Sequence, residues 1–266
     1  MKGFIEEYGK IIVVIILTLL MLGFGQTGLA KPLQNSLLKS TGMITNAHNK
    51  FDEVTKEPEP VTPGAIIDIE GTKYIVLEER ENNQALVTTA SIIRNKFFHA
   101  DYSRADGQNI NTYEGSTIDT YLENKWYKSL SSIMQSAIQT TNIKQASYAI
   151  KNDPDSKQET GYNGQVYNTI NRHVFLPSVS EIGKVVDLKS QDKVKAFLNG
   201  TNAWIWTRDS HQGSHYKAVF LGAYSGSVSR GSLGYNDVGD QLDVRPAFVI
   251  DLSKVDYKVA GHVDYK

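Results

Sequence analysis

Alternation of apolar and polar residues predicts three short β-strands at the start of the folded body. Residues 65–70 and 73–79 alternate on either side of Gly71, and residues 84–89 follow the polar residue pair at Asn82. Short alternating runs separated by such turns are typical of antiparallel hairpins. We therefore expect an antiparallel, three-stranded beginning to the body.

Apolar residues then recur at helical spacing. Ser116 lies three residues before Asp119, the spacing of a capping box, and Ile118, Leu122 and Trp126 fall on one face of the predicted helix. A second helical pattern occurs at Leu130, Ile133, Met134 and Ala137. A second capping-box spacing occurs at Ser178 and Glu181. Later strand-like stretches cover residues 204–207, 217–223 and 244–251. The mixture predicts an α+β fold.

The N-terminal region contains a strongly apolar stretch. Residues 11–30 carry no charge and are bracketed by Lys10 and Lys31, and about 20 such residues cross a bilayer. We predict a transmembrane helix in the cell membrane, with the C-terminal domain extracellular. The alternative is a cleaved signal peptide, because residues 11–24 alone are strongly apolar and small residues occur at 28 and 30.

Composition shifts predict the domain organisation. Leucines at helical spacing follow the apolar stretch, and a segment with three prolines follows them. The predicted parts are a membrane anchor or signal segment at 1–31, a juxtamembrane helix at 32–51, a proline-rich linker at 52–63, a domain at 64–255 and a tail at 256–266.

Charge and cysteine content exclude several classes of function. The 266 residues include 28 Lys and Arg and 29 Asp and Glu, a net charge of −1, which argues against nucleic-acid binding. The sequence contains no cysteine. This excludes a disulfide framework, thiolate zinc sites, iron–sulfur clusters and a cysteine nucleophile. We predict no cofactor.

Two sets of candidate metal ligands have weak context. His211 and His215 are four residues apart near Asp209, but Gly213 lies between them and no helical pattern surrounds them. We interpret them as residues of a solvated loop and predict no metal site there. The carboxylates Asp237, Asp240 and Asp243 have a spacing that also permits a calcium loop.

Two arginines and three tryptophans are assigned structural roles. Arg208 and Arg245 each follow an apolar, β-rich stretch, so we expect buried ion pairs, because an isolated buried charge is costly. The possible partners are Asp209, Glu181 and Asp243. We assign Trp126 and Trp206 to the core, and also Trp204, which shares a strand face with Trp206, with Ile205 on the opposite face.

The segment from Asp209 to Asp243 has a distinct composition. Its 35 residues include six Gly, six Ser, three Tyr and four Asp. Tyr, Ser, Gly and Asn build adaptable binding surfaces, although a glycine-rich surface loop without a partner is the alternative. The candidate ligand-binding residues are Tyr216, Tyr224, Arg230, Tyr235, Asn236 and Asp237.

Four blocks of sequence carry a resemblance to a known family. They are residues 113–122 (YEGSTIDTYL) with Trp126-Tyr127, residues 174–181 (VFLPSVSE), residues 206–209 (WTRD) and residues 244–251 (VRPAFVID). Over about residues 64–253 the chain resembles an uncharacterised domain family of Gram-positive surface and mobile-element proteins. The resemblance implies a C-type-lectin-like fold, distantly similar to formylglycine-generating enzymes, and it supplies fold rather than function.

The sequence departs from the better-known relatives of that fold. Formylglycine-generating enzymes work through cysteine, which is absent here. Of the sugar- and calcium-binding motifs of lectins, only a faint echo occurs, at Tyr235-Asn236-Asp237. Calcium-dependent sugar binding therefore receives little support.

These features together predict a binding protein. We expect a membrane-anchored extracellular adhesion domain that presents the 209–243 region to a surface protein or glycan, with no catalytic residue. One alternative is a structural component of an envelope or conjugative-transfer apparatus. A second is a hydrolase that uses Asp237, Asp240 and Asp243.

Overall fold

The three strands predicted at the start of the body form as expected. β1 (Ala65–Ile69), β2 (Thr72–Arg80) and β3 (Gln84–Thr89) pair antiparallel in chain order. The β2–β3 turn passes through Asn82 and Asn83, whose φ angles are 60° and 57°. Asparagine tolerates this left-handed conformation better than most residues, so the polar pair suits the tight turn.

The computed structural model of the protein describes residues 61–101, 110–148, 166–223 and 232–266. Within these ranges no helix is long and apolar enough to cross a membrane. The predicted anchor at 11–30 and the juxtamembrane helix at 32–51 lie outside the described residues.

The first of two β-sheets contains the N-terminal meander. It has six strands in the order β13-β1-β2-β3-β12-β5, and each neighbouring pair is antiparallel. The strands that join the meander are β5 (Ile138–Gln139), β12 (Ala247–Asp251) and β13 (Tyr257–His262). The sheet therefore brings together the two ends of the folded body.

Residues 256–266, predicted as a tail beyond the domain, form the edge of this sheet instead. β13 pairs with β1, and the Tyr265 carbonyl oxygen accepts a 2.7 Å hydrogen bond from Asp187 N. The Tyr265 ring lies edge-on to Phe197 at 5.7 Å between centroids. Strand pairing and ring packing hold this segment to the body, so the folded unit runs from Pro60 to Lys266.

The second sheet has seven strands. Five follow the order β10-β9-β8-β11-β4, and β6 pairs with both β7 and β8. The strands are β4 (Ile93–Phe97), β6 (Thr141–Tyr148), β7 (Val166–Arg172), β8 (Trp204–His211), β9 (Lys217–Gly222), β10 (Leu233–Asp237) and β11 (Gln241–Val244). β6 and β11 run parallel to β8, whereas the other pairs are antiparallel.

Short helices connect the strands, so the domain is α+β, as predicted. The described helices are α1 (Thr117–Tyr121), which continues through a π-helical turn (Leu122–Trp126) into α2 (Tyr127–Ser129), then α3 (Ser132–Ala137), α4 (Val179–Ile182), α5 (Gln191–Phe197) and a 3₁₀ turn (Leu252–Lys254).

Both capping-box spacings mark helix starts. Ser178 and Glu181 form the complete reciprocal box at α4. At α1, Ser116 Oγ accepts from Asp119 N, but the Asp119 carboxylate binds Arg172 through two hydrogen bonds of 2.7 Å. The pair joins α1 to the end of β7.

The tryptophans lie in or against the core, as predicted. Trp206 is fully buried and its Nε1 donates to Lys96 O at 3.0 Å. Trp126 and Trp204 are half-buried and pack against the core. Ile205 is fully buried as well. β8 therefore has both faces covered.

The helical pattern that included Ile133 is only partly correct. Met134 and Ala137 are buried in α3, but Ile133 is 51% exposed. Among the described residues it is the one large apolar side chain that is exposed. α3 spans six residues, so its apolar stripe covers little more than one turn.

The ion-pair prediction is confirmed for Arg208 and wrong for Arg245. Arg208 donates to Glu181 through two hydrogen bonds of 2.5 and 2.7 Å. Arg245 is fully buried, yet within the described ranges no carboxylate pairs with it. Its Nη2 donates to Ala90 O at 3.0 Å, and its guanidinium lies 4.5 Å from the centroid of the Phe197 ring. A carbonyl and an aromatic face therefore take the place of a counter-ion.

Candidate functional site

Two of the predicted binding residues, Tyr216 and Tyr235, lie beside the same lysine of the β9–β10 hairpin. β9 and β10 pair so that Lys217 lies opposite Asp237 and Val219 lies opposite Tyr235. This register makes Lys217 and Tyr235 diagonal neighbours, close enough for long side chains to touch. Lys217 Nζ lies 4.8 Å from the centroid of the Tyr235 ring and 5.5 Å from that of Tyr216.

Two histidines extend the aromatic surface. The buried His211 ring lies 4.1 Å from Tyr235 between centroids, and His215 lies edge-on to Tyr216 at 5.1 Å. Tyr216, Lys217, Tyr235 and His215 are all half-buried. We call Tyr216, Lys217 and Tyr235 the hairpin face.

A buried asparagine fixes the turn that carries Tyr216. Asn111 is fully buried, and its Nδ2 donates to Ser214 O at 2.7 Å and to Lys217 O at 2.9 Å. Ser210 Oγ donates to Asn111 O at 2.8 Å, which ties the same residue to β8. The backbone on both sides of Tyr216 is therefore held by hydrogen bonds, and the hairpin face is preorganised.

The 209–243 region is not a single loop, because more than half of its described residues lie in strands, and the strand predicted at 217–223 forms as β9. Residues 209–211, 217–222, 233–237 and 241–243 lie in strands. The glycine content favours a loop, but Gly222 and Gly234 lie in strands next to large rings. A Cβ at Gly222 would be 2.5 Å from Trp204, and one at Gly234 would collide with Phe220.

The other candidate binding residues have different positions. Asn236 and Asp237 follow Tyr235 on β10 and are half-buried. Tyr224 and Arg230 lie outside the described residues, so the hairpin face contains two of the six predicted binding residues.

The three aspartates of the carboxylate series do not converge. Asp243 binds Arg94 at 2.6 Å and accepts from Asn95 N at 3.1 Å. Asp240 N donates to Asp237 O at 2.9 Å in the turn before β11. Among the described residues, no group of three or more His, Asp or Glu is arranged to hold a metal ion.

The interpretation of His211 as a solvated loop residue is wrong. His211 is the last residue of β8 and is buried. Asp209 is buried on the same strand, where its Oδ2 accepts a 2.7 Å hydrogen bond from Val179 N. Burial, the largest influence, raises the pKa of Asp209 to about 6, although Arg208 and the bond from Val179 act in the opposite direction.

A second polar cluster joins the π-helical turn to the end of β7. His173 Nδ1 lies 2.6 Å from Glu123 Oε1, and His173 Nε2 lies 3.1 Å from Thr140 Oγ1. Glu123 Oε2 also accepts from His173 N at 3.0 Å, and the Tyr127 ring stacks on the His173 ring at 4.5 Å between centroids. Hydroxyl, imidazole and carboxylate stand in the order used to activate nucleophiles. Here the contacts clamp the end of β7 onto the helix.

The described part of the chain also contains a cavity that sequence reasoning missed. It has a volume of about 510 Å³ and lies between β4 and α1. Lys96 on β4, Tyr121 on α1 and Lys125 in the π-helical turn line it. The available signal is the four-residue spacing of Tyr121 and Lys125, which places them on one helix face. Lys96 comes from a different element, so only the fold brings the two lysines together.

Comparison with known proteins identifies the family. Residues 82–252 match the model of the family described as "Domain of unknown function (DUF6273)". The match covers more than half of the chain, so the protein belongs to the DUF6273 family. It includes β3 through β12, with the hairpin face and the cavity. No curated protein and no solved structure matches the chain.

Proposed function

We propose that this protein is a binding protein whose hairpin face contacts a surface protein or a glycan. The observation that carries the proposal is that one lysine ammonium lies 4.8 and 5.5 Å from the centroids of two half-buried tyrosine rings. Tyrosine gives a large amphipathic contact area at a low entropic cost, and aromatic residues are enriched among the residues that dominate binding energy.

The rigidity of this face supports the same proposal. Asn111 holds the turn before β9, and strand pairing holds Tyr235. A side chain already fixed before binding loses less conformational freedom when a partner arrives. The Lys217 ammonium also gives the face a positive charge that attracts an acidic partner, and its N–H groups can donate hydrogen bonds to carboxylate or hydroxyl oxygens.

The wider setting of the domain is part of the proposal. We infer that the fold is C-type-lectin-like, because two of the four sequence blocks that carry that resemblance, at 206–209 and 244–251, border the hairpin region. We further infer that residues 11–30 anchor the protein in the membrane of a Gram-positive cell, with the domain outside. The supporting observation is the uncharged 20-residue stretch between two lysines.

Binding is tested with two tyrosine substitutions in the full-length protein. The probes are intact Gram-positive cells and an array of purified bacterial surface glycans, with bound protein quantified by fluorescence. The Tyr216→Ala/Tyr235→Ala double variant should bind at least about tenfold more weakly than the wild type, because such hot-spot residues each carry about 2 kcal/mol or more.

Tyr257→Ala is the matched control. Tyr257 is also a half-buried tyrosine on a strand, but it lies on β13 in the other sheet. This variant should retain binding, and all variants should keep a cooperative thermal transition. Equal binding by the double variant and the wild type would refute the hairpin face as the binding surface.

Membrane attachment has a separate test. The full-length protein should sediment with membranes and resist extraction with alkaline carbonate. A soluble mature protein that begins at Lys31 would show that the apolar stretch is a cleaved signal peptide, which would overturn the anchor and leave the hairpin proposal intact.

A further inference from the structure

The cavity between β4 and α1 has the size of a small-molecule site. Its volume of about 510 Å³ lies within the range of about 300–1,000 Å³ typical of ligand pockets. None of the residues of the hairpin face lines it. It is therefore a separate place at which a ligand can bind, whether or not the hairpin face has a partner.

Two lysines set the charge of the cavity. Lys96 Nζ lies 4.3 Å from the centroid of the Tyr121 ring, and Lys125 is exposed one helical turn beyond Tyr121. Neither ammonium forms an ion pair within the described residues. Asp101 and His99 also line the cavity, so among its described lining residues two lysines stand against one carboxylate. An anionic ligand would supply the missing counter-charge.

Neutral polar groups line the rest of the wall. Asn95, Thr117 and Thr120 contribute an amide and two hydroxyls. Thr117 Oγ1 accepts from Ala100 N at 2.8 Å, which leaves its hydroxyl hydrogen able to donate to a ligand. Asn95 has a φ of 55°, a conformation that asparagine adopts more readily than most residues. These groups suit a ligand with several hydroxyls.

The described lining of the cavity favours a carboxylate over a phosphate. Phosphate sites commonly use arginine forks or the free N–H groups of a helix N-terminus. No arginine is among the described residues that line this cavity, and at the start of α1 the Ile118 and Asp119 N–H groups donate to Phe98 O and Ser116 Oγ. Two separate ammonium groups are sufficient for a single carboxylate.

We propose that this cavity binds a small polyhydroxylated carboxylate, of the size and chemistry of an acidic monosaccharide. Lys96 and Lys125 bind the carboxylate, and Asn95, Thr117 and Thr120 hydrogen-bond the hydroxyls. The Tyr121 ring keeps Lys96 at the cavity wall.

Calorimetric titration of the full-length protein at low salt tests the assignment. The probes are D-glucuronate, D-glucose as the neutral sugar, acetate as the bare carboxylate and inorganic phosphate. D-glucuronate should give a saturable heat, and the other three should bind at least about tenfold more weakly. The Lys96→Gln/Lys125→Gln double variant should lose at least about tenfold in affinity for glucuronate.

Lys128→Gln is the control, because Lys128 is an exposed lysine in α2 that does not line the cavity. It should bind glucuronate as the wild type does, and Lys125→Arg should restore much of the affinity of a Lys125→Gln variant. Absence of saturable binding to the wild type would overturn the proposal. So would equal binding of glucose, tighter binding of phosphate, or full affinity in the double variant.

Discussion

Arg208 and Glu181 form the buried electrostatic contact that joins β8 to α4. Arg208 Nη1 and Nη2 donate to the two Glu181 oxygens at 2.5 and 2.7 Å, and Nη1 and Nε also donate to Leu176 O and Lys144 O. Burial alone would raise the pKa of Glu181, but the charge and hydrogen bonds of Arg208 hold that pKa below its ordinary value. The pair therefore remains ionised inside the protein.

Breaking this pair should strongly destabilise the domain. Glu181→Gln leaves the buried Arg208 charge without its hydrogen-bonded counter-ion, and the expected loss is about 3–5 kcal/mol in the free energy of unfolding. The measurement is equilibrium denaturation in urea. The double variant Arg208→Met/Glu181→Leu removes both charges and should be more stable than Glu181→Gln. A Glu181→Gln loss below about 1 kcal/mol would contradict the prediction.

Substitution of Arg245 should have a smaller effect on stability than substitution of Arg208, because within the described ranges Arg245 has no counter-ion to lose. Burial lowers the pKa of Arg245 to about 10, against a small opposing effect of Tyr265. Within the described ranges its Nε and Nη1 have no hydrogen-bond partner. Arg245→Met removes this unpaired charge but keeps a long apolar side chain, so it should cost much less than Arg208→Met. Urea denaturation of the two variants measures both losses in the free energy of unfolding. Equal losses would contradict the prediction.

Asp209 predicts a specific pH dependence. Folding raises the pKa of Asp209 from 3.8, the ordinary value of an aspartate, to about 6, so the folded state favours the protonated form. This contribution to stability is complete below about pH 4 and is lost as the pH rises towards about 6. Asp209→Asn keeps a hydrogen-bond acceptor for Val179 N but cannot ionise. The wild type should therefore lose stability relative to this variant between about pH 4 and 6, by roughly 2–3 kcal/mol.

Denaturation curves of both proteins from pH 4 to 8 give the comparison. Glu181, whose lowered pKa acts in the opposite direction at acid pH, is present in both proteins, so its effect largely cancels in the difference. A difference that is flat between pH 4 and 6, or that changes in favour of the wild type as the pH rises, would contradict the prediction.

The parts of the fold that sequence predicts are those set by local rules. The β1–β3 meander follows from alternation and from turn residues such as Asn82, whose positive φ the turn requires. The start of α4 follows from the spacing of Ser178 and Glu181. Each of these signals involves residues within a few positions of one another, so no knowledge of the tertiary structure is needed.

The predictions that were wrong depend on contacts between residues that are far apart in the chain. Asp243 is a candidate partner for Arg245 by sequence, only two residues away, but it binds Arg94, which lies 149 positions earlier in the chain. The cavity depends on Lys96 from β4 and Lys125 from the helix, and no local pattern connects them. Gly234 suggests a loop because packing against a ring, like a loop, favours a residue without a side chain.

The C-terminal strand should be required for full stability. A chain that ends at Val255 lacks β13, its pairing with β1 and the packing of Tyr265 on Phe197. Each lost backbone hydrogen bond contributes about 0.5–1.5 kcal/mol net, so the free energy of unfolding should fall by at least about 2 kcal/mol. A chain that lacks only Lys266 is the control, since it keeps the strand and the Tyr265 ring. Equal thermal midpoints for the wild type and the chain ending at Val255 would show that β13 adds no stability.

The close contact between Gly234 and Phe220 should make even a single methyl group harmful. A Cβ at Gly234 would collide with Phe220 Cζ, and the Phe220 ring is fully buried and stacked on Trp204 at 4.9 Å between centroids. The ring cannot move away without disturbing Trp204, so Gly234→Ala should cost about 1–3 kcal/mol. Phe220→Leu shortens the clashing side chain, and in the double variant the two losses should sum to less than their separate values. Urea denaturation of the wild type, both single variants and the double variant measures this coupling. Strictly additive losses would mean that the hairpin backbone, rather than the Phe220 ring, absorbs the methyl group.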